Sequence, residues 1–211
     1  MTAAAFLWLC LALVAAGANW MAVYHDNRRL ELVVKPLTMV LLIGAAVALD
    51  PADPATRYWF VVALLLSLAG DVLLMLRRDN LFVAGLGAFL LAHVAYVIGL
   101  LISGVHPGGL LAGLVLAVAG FVLIGSRLMR GVRRTDRALV PPVLAYMLVI
   151  SLMLITAYGT TRFWALAGAT FFYISDSLLG RQRFLEPRER GDTAVMVTYH
   201  LAQILLVLSL V

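Results

Sequence analysis

The chain has 211 residues, 64% of them hydrophobic and 13% charged, with a mean hydropathy of +1.01 and a formal net charge of +5. A soluble domain of this size cannot hide so much apolar surface, because much of its exterior must be polar, so the composition excludes a water-soluble globular protein. Cys10 is the only cysteine, which excludes intrachain disulfides and cysteine-based metal clusters.

Apolar runs of about 20 residues, the length that crosses a hydrocarbon core of roughly 30 Å, recur along the chain. Taken in order they predict eight transmembrane helices at roughly 3–23, 34–50, 58–76, 82–103, 108–126, 140–158, 162–180 and 193–210. No Lys or Arg precedes the first run, so it reads as a retained span and not as a cleaved signal. Lys35 and Pro36 open the second span. The third begins at Tyr58-Trp59-Phe60 and ends in Gly70-Asp71-Val72-Leu73-Leu74. The fourth carries His93 and Tyr96, with Gly85 and Gly87 as points of flexibility. Pro141 opens the sixth. The seventh begins near Phe163-Trp164 and ends in Ser175-Asp176-Ser177-Leu178-Leu179, and the eighth carries Tyr199, His200 and Gln203. Aromatic residues gather at membrane interfaces, so Tyr58, Trp59, Phe60, Phe163 and Trp164 read as an outer belt, with Trp20 and Tyr24 serving the inner one.

Positive charge gives the orientation. Arg28, Arg29 and Lys35 fall in the first loop, Arg77 and Arg78 in the third. Arg127, Arg130, Arg133, Arg134 and Arg137 fall in the fifth, and Arg181, Arg183, Arg188 and Arg190 in the seventh. Only Arg57 and Arg162 lie in even loops. The positive-inside rule then puts the odd loops in the cytoplasm and both termini on the other side. The sequence pI of about 9.8 follows from this topology and from anionic headgroups, and does not call for nucleic acid as a partner.

Asp71 and Asp176 are separated by the same interval as Pro36 and Pro141, and after a short slip His93-Val94-Ala95-Tyr96 aligns with His200-Leu201-Ala202-Gln203. The expected architecture is therefore all-α: one eight-helix transmembrane domain over 1–211, duplicated internally as parallel 4+4 pseudo-repeats of roughly 1–105 and 106–211.

A carboxylate inside a span costs roughly 2.5–3.5 kcal/mol on insertion scales, so each is a functional candidate. Asp71 precedes Arg77 by six residues, about 9 Å at 1.5 Å per residue, and Asp176 stands at a similar depth before Arg181. Lys35 enters from the same side. His93 and Tyr96 share a helical face, as do Tyr199 and Gln203, while Tyr173 and Ser67 each lie one turn before an aspartate. Two carboxyls in different surroundings can divide acid and base roles. The structural alternative is a buried ion pair with Lys35 or interhelical hydrogen bonds, and the tyrosines often serve packing. Asp26, Asp50, Asp53, Asp79 and Asp136 belong to loops. His-Glu-x-x-His, Gly-x-Ser-x-Gly and Walker-type signatures are absent from the sequence. His25 and His106 fall near opposite ends of the membrane, so no metal site is expected.

The stretches Lys35-Pro36-Leu37, Gly70-Asp71-Val72-Leu73-Leu74, Phe82 through Gly85, Ala92-His93-Val94-Ala95-Tyr96, Ile174 through Leu179 with Arg183-Phe184, and Tyr199 through Gln203 appear in a specific order. In this the sequence resembles the lysoplasmalogenase family, the YhhN-type membrane proteins. His200 departs from the pattern, which favours an aromatic or apolar residue there. The resemblance implies an integral protein of a bacterial cytoplasmic membrane that hydrolyses the vinyl-ether bond of a lysophospholipid substrate within the bilayer. The products would be a fatty aldehyde and glycerophospho-ethanolamine or -choline. The two intramembrane carboxylates suit that reaction, so Asp71 and Asp176 are expected as the catalytic pair, one a general acid and one a carboxylate stabilising an oxocarbenium ion, with neither role assigned. Lys35 would attract the phosphate, and His93, Tyr96, Tyr173, Tyr199 and Gln203 would support substrate and water. No cofactor is required, and the oligomeric state is left open. The rival from another class is a small-solute or lipid transporter, which should show interrupted helices at corresponding places in the two halves. A non-catalytic scaffold or receptor is a further alternative, in which the aspartates would tolerate Asn.

Overall fold

A computed structural model describes residues 2–76, 79–186 and 193–211, and among these it is helical with no strand. The helices are α1 (Ala3–Tyr24), α2 (Arg28–Ala48), α3 (Pro54–Met75), α4 (Asp79–Ile102), α5 (Pro107–Thr135), α6 (Val140–Gly159), α7 (Phe163–Phe184) and α8 (Thr193–Leu208). Six stretches are long and apolar enough to cross a bilayer: α1, α2, α3, Leu81–Ile102 of α4, α5, and α6 with the short turn before it. Helix α7 is as long as α1 but carries Asp176 and a basic last turn, and α8 has 16 residues. Arg77, Arg78, Arg188 and Arg190, assigned above to cytoplasmic loops, lie outside the described residues.

Helix ends are set by local chemistry. Thr2 accepts a hydrogen bond from the Ala5 N–H at 3.0 Å and donates its own hydroxyl to the Ala48 carbonyl at 2.7 Å, joining the start of α1 to the end of α2. Asn27 caps α2 and Asp53 caps α3, each satisfying an N–H that the first turn leaves unpaired. Pro36 is a point of difference from the sequence reading. It lies inside α2, which begins at Arg28. Hydropathy marks where charge stops, whereas the helix runs on into the polar zone, stabilised there by an Arg28–Glu31 ion pair at 2.9 Å one turn apart. Arg127, Arg130, Arg133 and Arg134 likewise lie on the continuation of α5, and Arg181 and Arg183 on the last turn of α7, not in loops.

Consecutive helices pack as antiparallel pairs, α1 on α2, α3 on α4, α5 on α6 and α7 on α8. Between pairs, α2 touches α3, α4 touches α6, and α8 returns to α1 and α2. The bundle is inside-out in polarity. Large apolar side chains such as Phe6, Val14, Leu111 and Val115 face outward, while Asn19, Thr38, Ser67, Asp71, His93, Ser175, His200 and Gln203 are buried. That is what lipid demands, since it offers polar groups no hydrogen bonds. Tyr58 and Phe163 are exposed, at 64% and 70%, as belt residues should be. Phe60 is not part of the belt. It is buried, its ring edge-on to Tyr96 at 5.0 Å between centroids.

Lipid supplies no hydrophobic force between helices, so close approach depends on small residues. Gly109 and Gly113, four apart on α5, meet the backbone of α6. A Cβ on Gly113 would stand 2.7 Å from the Ile155 Cα and 3.0 Å from the Ile155 carbonyl oxygen. Because backbone cannot yield as a side chain can, Gly113→Ala is expected to destabilise the protein by about 1–3 kcal/mol. Gly87→Ala, with open space around the added methyl, should be neutral or stabilising by up to about 1 kcal/mol. Thermal unfolding of both variants in detergent checks this, and equal melting temperatures would refute it.

Candidate active site

Two polar centres occupy the interior, one around each aspartate. The first is closed. The Asp71 side chain is 1% exposed and bonds the Lys35 Nζ at 2.9 Å through one oxygen, and through the other it accepts the Tyr199 hydroxyl at 2.7 Å. Three helices, α2, α3 and α8, converge on that carboxylate. Lys35 is itself buried, and its ammonium stands 5.8 Å from the Tyr199 ring centroid. One turn further along α8, Gln203 accepts the Tyr96 hydroxyl at 2.5 Å, linking α8 to α4.

The second centre opens onto a cleft. Asp176 on α7 accepts a short hydrogen bond from the Tyr146 hydroxyl on α6, and its side chain is 13% exposed. His93 on α4 places its Nε2 at 3.7 Å from the Asp176 Oδ2. The His93 Nδ1 lies 2.6 Å from the Phe89 carbonyl oxygen, a bond it can make only as a donor. In the neutral ring that leaves Nε2 as an acceptor pointed at a carboxyl. Among the described residues this nitrogen has no hydrogen-bond partner, and neither have the Ser67 hydroxyl and the Gln203 amide nitrogen.

The cleft lies between α4, α5, α6 and α7, with contributions from the end of α3. Its walls are apolar apart from Asp176, Tyr146, Tyr173 and Ser177, with Arg183 at the far end. Ile124 both lines it and stands 42% exposed on the outer side of α5, so the cleft borders lipid. There α5 leaves the α-helical pattern for a π segment, Phe121–Gly125. Such segments recur at functional sites.

Phe89 separates the two centres. Its ring lines the cleft, packs edge-on to Tyr199 at 5.9 Å, and covers Gly70, where a Cβ would come within 2.6 Å of it. The glycine beside Asp71 thus makes room for the partition. Phe172 joins the centres from behind, 5.6 Å from Tyr199 and 4.6 Å from His93 between ring centroids.

The expected residues therefore fall in two groups. Lys35, Asp71, Tyr199, Gln203 and Tyr96 form the closed side, and Asp176, His93 and Tyr173 the cleft side. Lys35 is bonded to Asp71 and is not a lining residue of the cleft. His200 accepts the Trp20 indole N–H at 3.0 Å, away from both carboxylates, so Trp20 has an interhelical role. Sequence reasoning missed Tyr146 and the π segment. Depth was the available signal for the tyrosine, since it follows Pro141 closely on a span facing Asp176. Among the described residues no cluster of three His, Cys, Asp or Glu side chains offers a metal site.

Fold and site define an all-α integral membrane protein with an acid-bearing cleft that borders lipid. The chain belongs to the YhhN family, whose sequence profile matches residues 30–210. It is 34% identical over 174 residues to a Mycobacterium bovis protein named lysoplasmalogenase, covering 80% of this chain and 66% of that one. It is 30% identical over 205 residues to human lysoplasmalogenase TMEM86B, covering 96% and 81%, and 28% identical over 179 residues to the Mus musculus protein of that name, covering 83% and 73%. The chain thus spans slightly under two thirds of the mycobacterial relative's length. No solved structure matches it.

Removing one partner of a buried ion pair strands the other, at a cost of about 3–5 kcal/mol. Lys35→Met is expected to lose stability on that scale, and Lys35→Met combined with Asp71→Asn to regain most of it. Melting of the two single variants and the double in detergent tests the coupling. Strictly additive losses would show that the pair is not a stabilising unit.

Proposed function

We propose that the protein is a membrane-embedded lysoplasmalogenase that hydrolyses the vinyl-ether bond of a lysophospholipid taken from the bilayer. The observation that carries the reading is Asp176, a carboxyl set in the wall of an apolar cleft that borders lipid. The likeness to proteins named lysoplasmalogenase supports the substrate. Eight helices crossing as two parallel halves of four, with the termini on the non-cytoplasmic side, suit the arrangement. Each aspartate then meets one residue of its own half and one of the other: Asp71 has Lys35 and Tyr199, Asp176 has Tyr146 and His93.

In the mechanism we infer, Asp176 is the acid. Asp176 carries the proton, the Tyr146 hydroxyl fixes the carboxyl's orientation, and the His93 Nε2 faces it from 3.7 Å, beyond hydrogen-bond range. Asp176 gives that proton to the outer vinyl carbon, the C=C bond becomes C–C, and positive charge develops across the inner carbon and the ether oxygen. The carboxylate left behind stabilises this oxocarbenium ion. Water adds to the inner carbon and surrenders a proton to Asp176. That proton passes to the ether oxygen as the C–O bond of the hemiacetal breaks, while the hemiacetal hydroxyl gives its proton back to Asp176, releasing the aldehyde and the glycerophospho-alcohol and restoring the acid. General acid catalysis of this kind is worth roughly 10²–10⁴ in rate.

Asp71 is the second member of the pair. Its role in this scheme is to hold Lys35 and Tyr199, and through Tyr199 the partition at Phe89, so it acts on the cleft from behind. A transporter would call for interrupted helices at matching places. The π segment of α5 has no counterpart in α1, which is α-helical from Ala3 to Tyr24.

Aldehyde release from alkenyl-lysophosphatidylethanolamine by detergent-purified protein is the test. Asp176→Asn should reduce turnover about 10²–10⁴-fold while leaving the fold intact. Asp71→Asn should lower stability and reduce turnover less. Normal turnover by folded Asp176→Asn would sink the mechanism, and no release by wild type beside an active control enzyme would sink the hydrolase reading.

A further inference from the structure

The end of the bundle opposite the two aspartates carries a second recess. It is lined by Asp53 at the start of α3, Thr56 one turn on, Ile102 and Ser103 at the end of α4, and Arg162 just before α7. Asp53 and Asp71 bracket most of α3, about 27 Å of rise, so nearly the depth of a hydrocarbon core separates this recess from the polar centres.

Two opposite charges line the recess without meeting. Asp53 and Arg162 are both half-buried, and among the described residues no ion pair joins them. Arg162 donates through Nη1 to the Ser209 carbonyl at 3.2 Å. The residue before it, Thr161, turns the chain with a φ of 55°, a left-handed conformation that β-branched residues seldom take. Arg57 also lies at this end, but it is bonded to the Leu49 carbonyl at 2.9 Å and does not line the recess.

Around Asp53 the recess offers hydrogen-bond acceptors. The Thr56 hydroxyl donates to the Asp53 carboxylate at 3.2 Å and the Ser103 hydroxyl to the Leu100 carbonyl at 2.8 Å, so both oxygens keep lone pairs for another donor. A carboxylate with two such oxygens suits a primary ammonium, which brings three N–H groups, and not a quaternary one, which brings none. A guanidinium suits a phosphate. In phosphoethanolamine four bonds join phosphorus to nitrogen, roughly 5 Å when extended, a span that links charges too far apart to pair directly. The rim is apolar. Leu101 and Ile102, exposed at 49% and 42%, continue from the recess along the outside of α4, and Phe163 stands exposed beside Arg162. Such a rim favours a headgroup with acyl chains attached over a soluble phosphoester.

We propose that this recess binds the headgroup of a phosphatidylethanolamine from the leaflet at that end of the bundle, its ammonium on Asp53, its phosphate on Arg162 and its chains along α4. The bound lipid ties the start of α3 to the start of α7. The site lies outside the reaction and does not depend on the hydrolase reading.

Lipid binding to the full chain in detergent, read by native mass spectrometry, is the test. Dioleoyl phosphatidylethanolamine, which has no vinyl ether to cleave, should bind wild type about 10-fold more tightly than dioleoyl phosphatidylcholine. Asp53→Asn, which keeps a capping side chain and removes the charge, should abolish that preference. Arg162→Gln should weaken both lipids about 10-fold. Equal affinity of wild type for the two lipids overturns the proposal, and that arm needs no variant. Unaltered binding in either folded variant overturns it as well. Glycerophosphoethanolamine displacing the lipid at similar concentration would mark a site for soluble phosphoesters and would overturn it too. Turnover enters none of these readouts, so their failure is separate from failure of the mechanism above.

Discussion

The Lys35–Asp71 ion pair is the interaction on which the interior depends. Both side chains are buried, so each charge is tolerable only with the other in place. The pair binds α2 to α3, and the second oxygen of Asp71 reaches α8 through Tyr199. From there the order passes by contact. Tyr199 sets Phe89 and Phe172, Phe89 takes the His93 N–H on its carbonyl, and His93 faces Asp176. An apolar replacement of the pair could hold the helices together. It could not orient a tyrosine hydroxyl, and the aromatic wall would lose its fixed point.

The two aspartates have different partners although their environments are related. Each stands near the end of a helix that pairs with its successor, and each accepts a tyrosine hydroxyl. The difference lies in the third partner. Asp71 bonds an ammonium at 2.9 Å, whereas Asp176, in the wall of an apolar cleft, faces an imidazole nitrogen 3.7 Å away. That contrast is why Asp176 is the acid in the proposed mechanism: a carboxyl locked to Lys35 is a poor proton donor.

Much of this was legible in the sequence because lipid makes polar residues conspicuous. Asp71, Asp176, Lys35 and His93 stood out as groups that apolar spans do not hold without partners, and the structure brings each of them to one of the two centres. The tyrosines were harder. Tyr146 resembles any packing aromatic until Asp176 is placed beside it, because its significance lies in a contact between helices and not in its own chemistry. Helix ends were misjudged for a related reason. Hydropathy detects the edge of the apolar zone, but Arg28 and Glu31 extend α2 by pairing with each other, and Leu128, Met129 and Val132 give the basic end of α5 a buried face. The Gly109–Gly113 spacing on α5 was present in the sequence, yet its meaning depended on knowing that the backbone of α6 runs against it.

In the proposed reaction the lysolipid is oriented by the same interface that orients the chain. Its phosphate stays at the headgroup level, and its vinyl ether lies just inside, at the depth where α7 carries Asp176 two turns from its basic end. Because Ile124 leaves the cleft bordering lipid, the alkenyl chain keeps an apolar surrounding throughout. In the proposed reaction a lysolipid would have no need to be lifted into water or drawn deeper into the membrane, and only a sideways move would bring its vinyl carbon to the acid. The binding energy that extraction would consume is then available to hold the headgroup and align the bond.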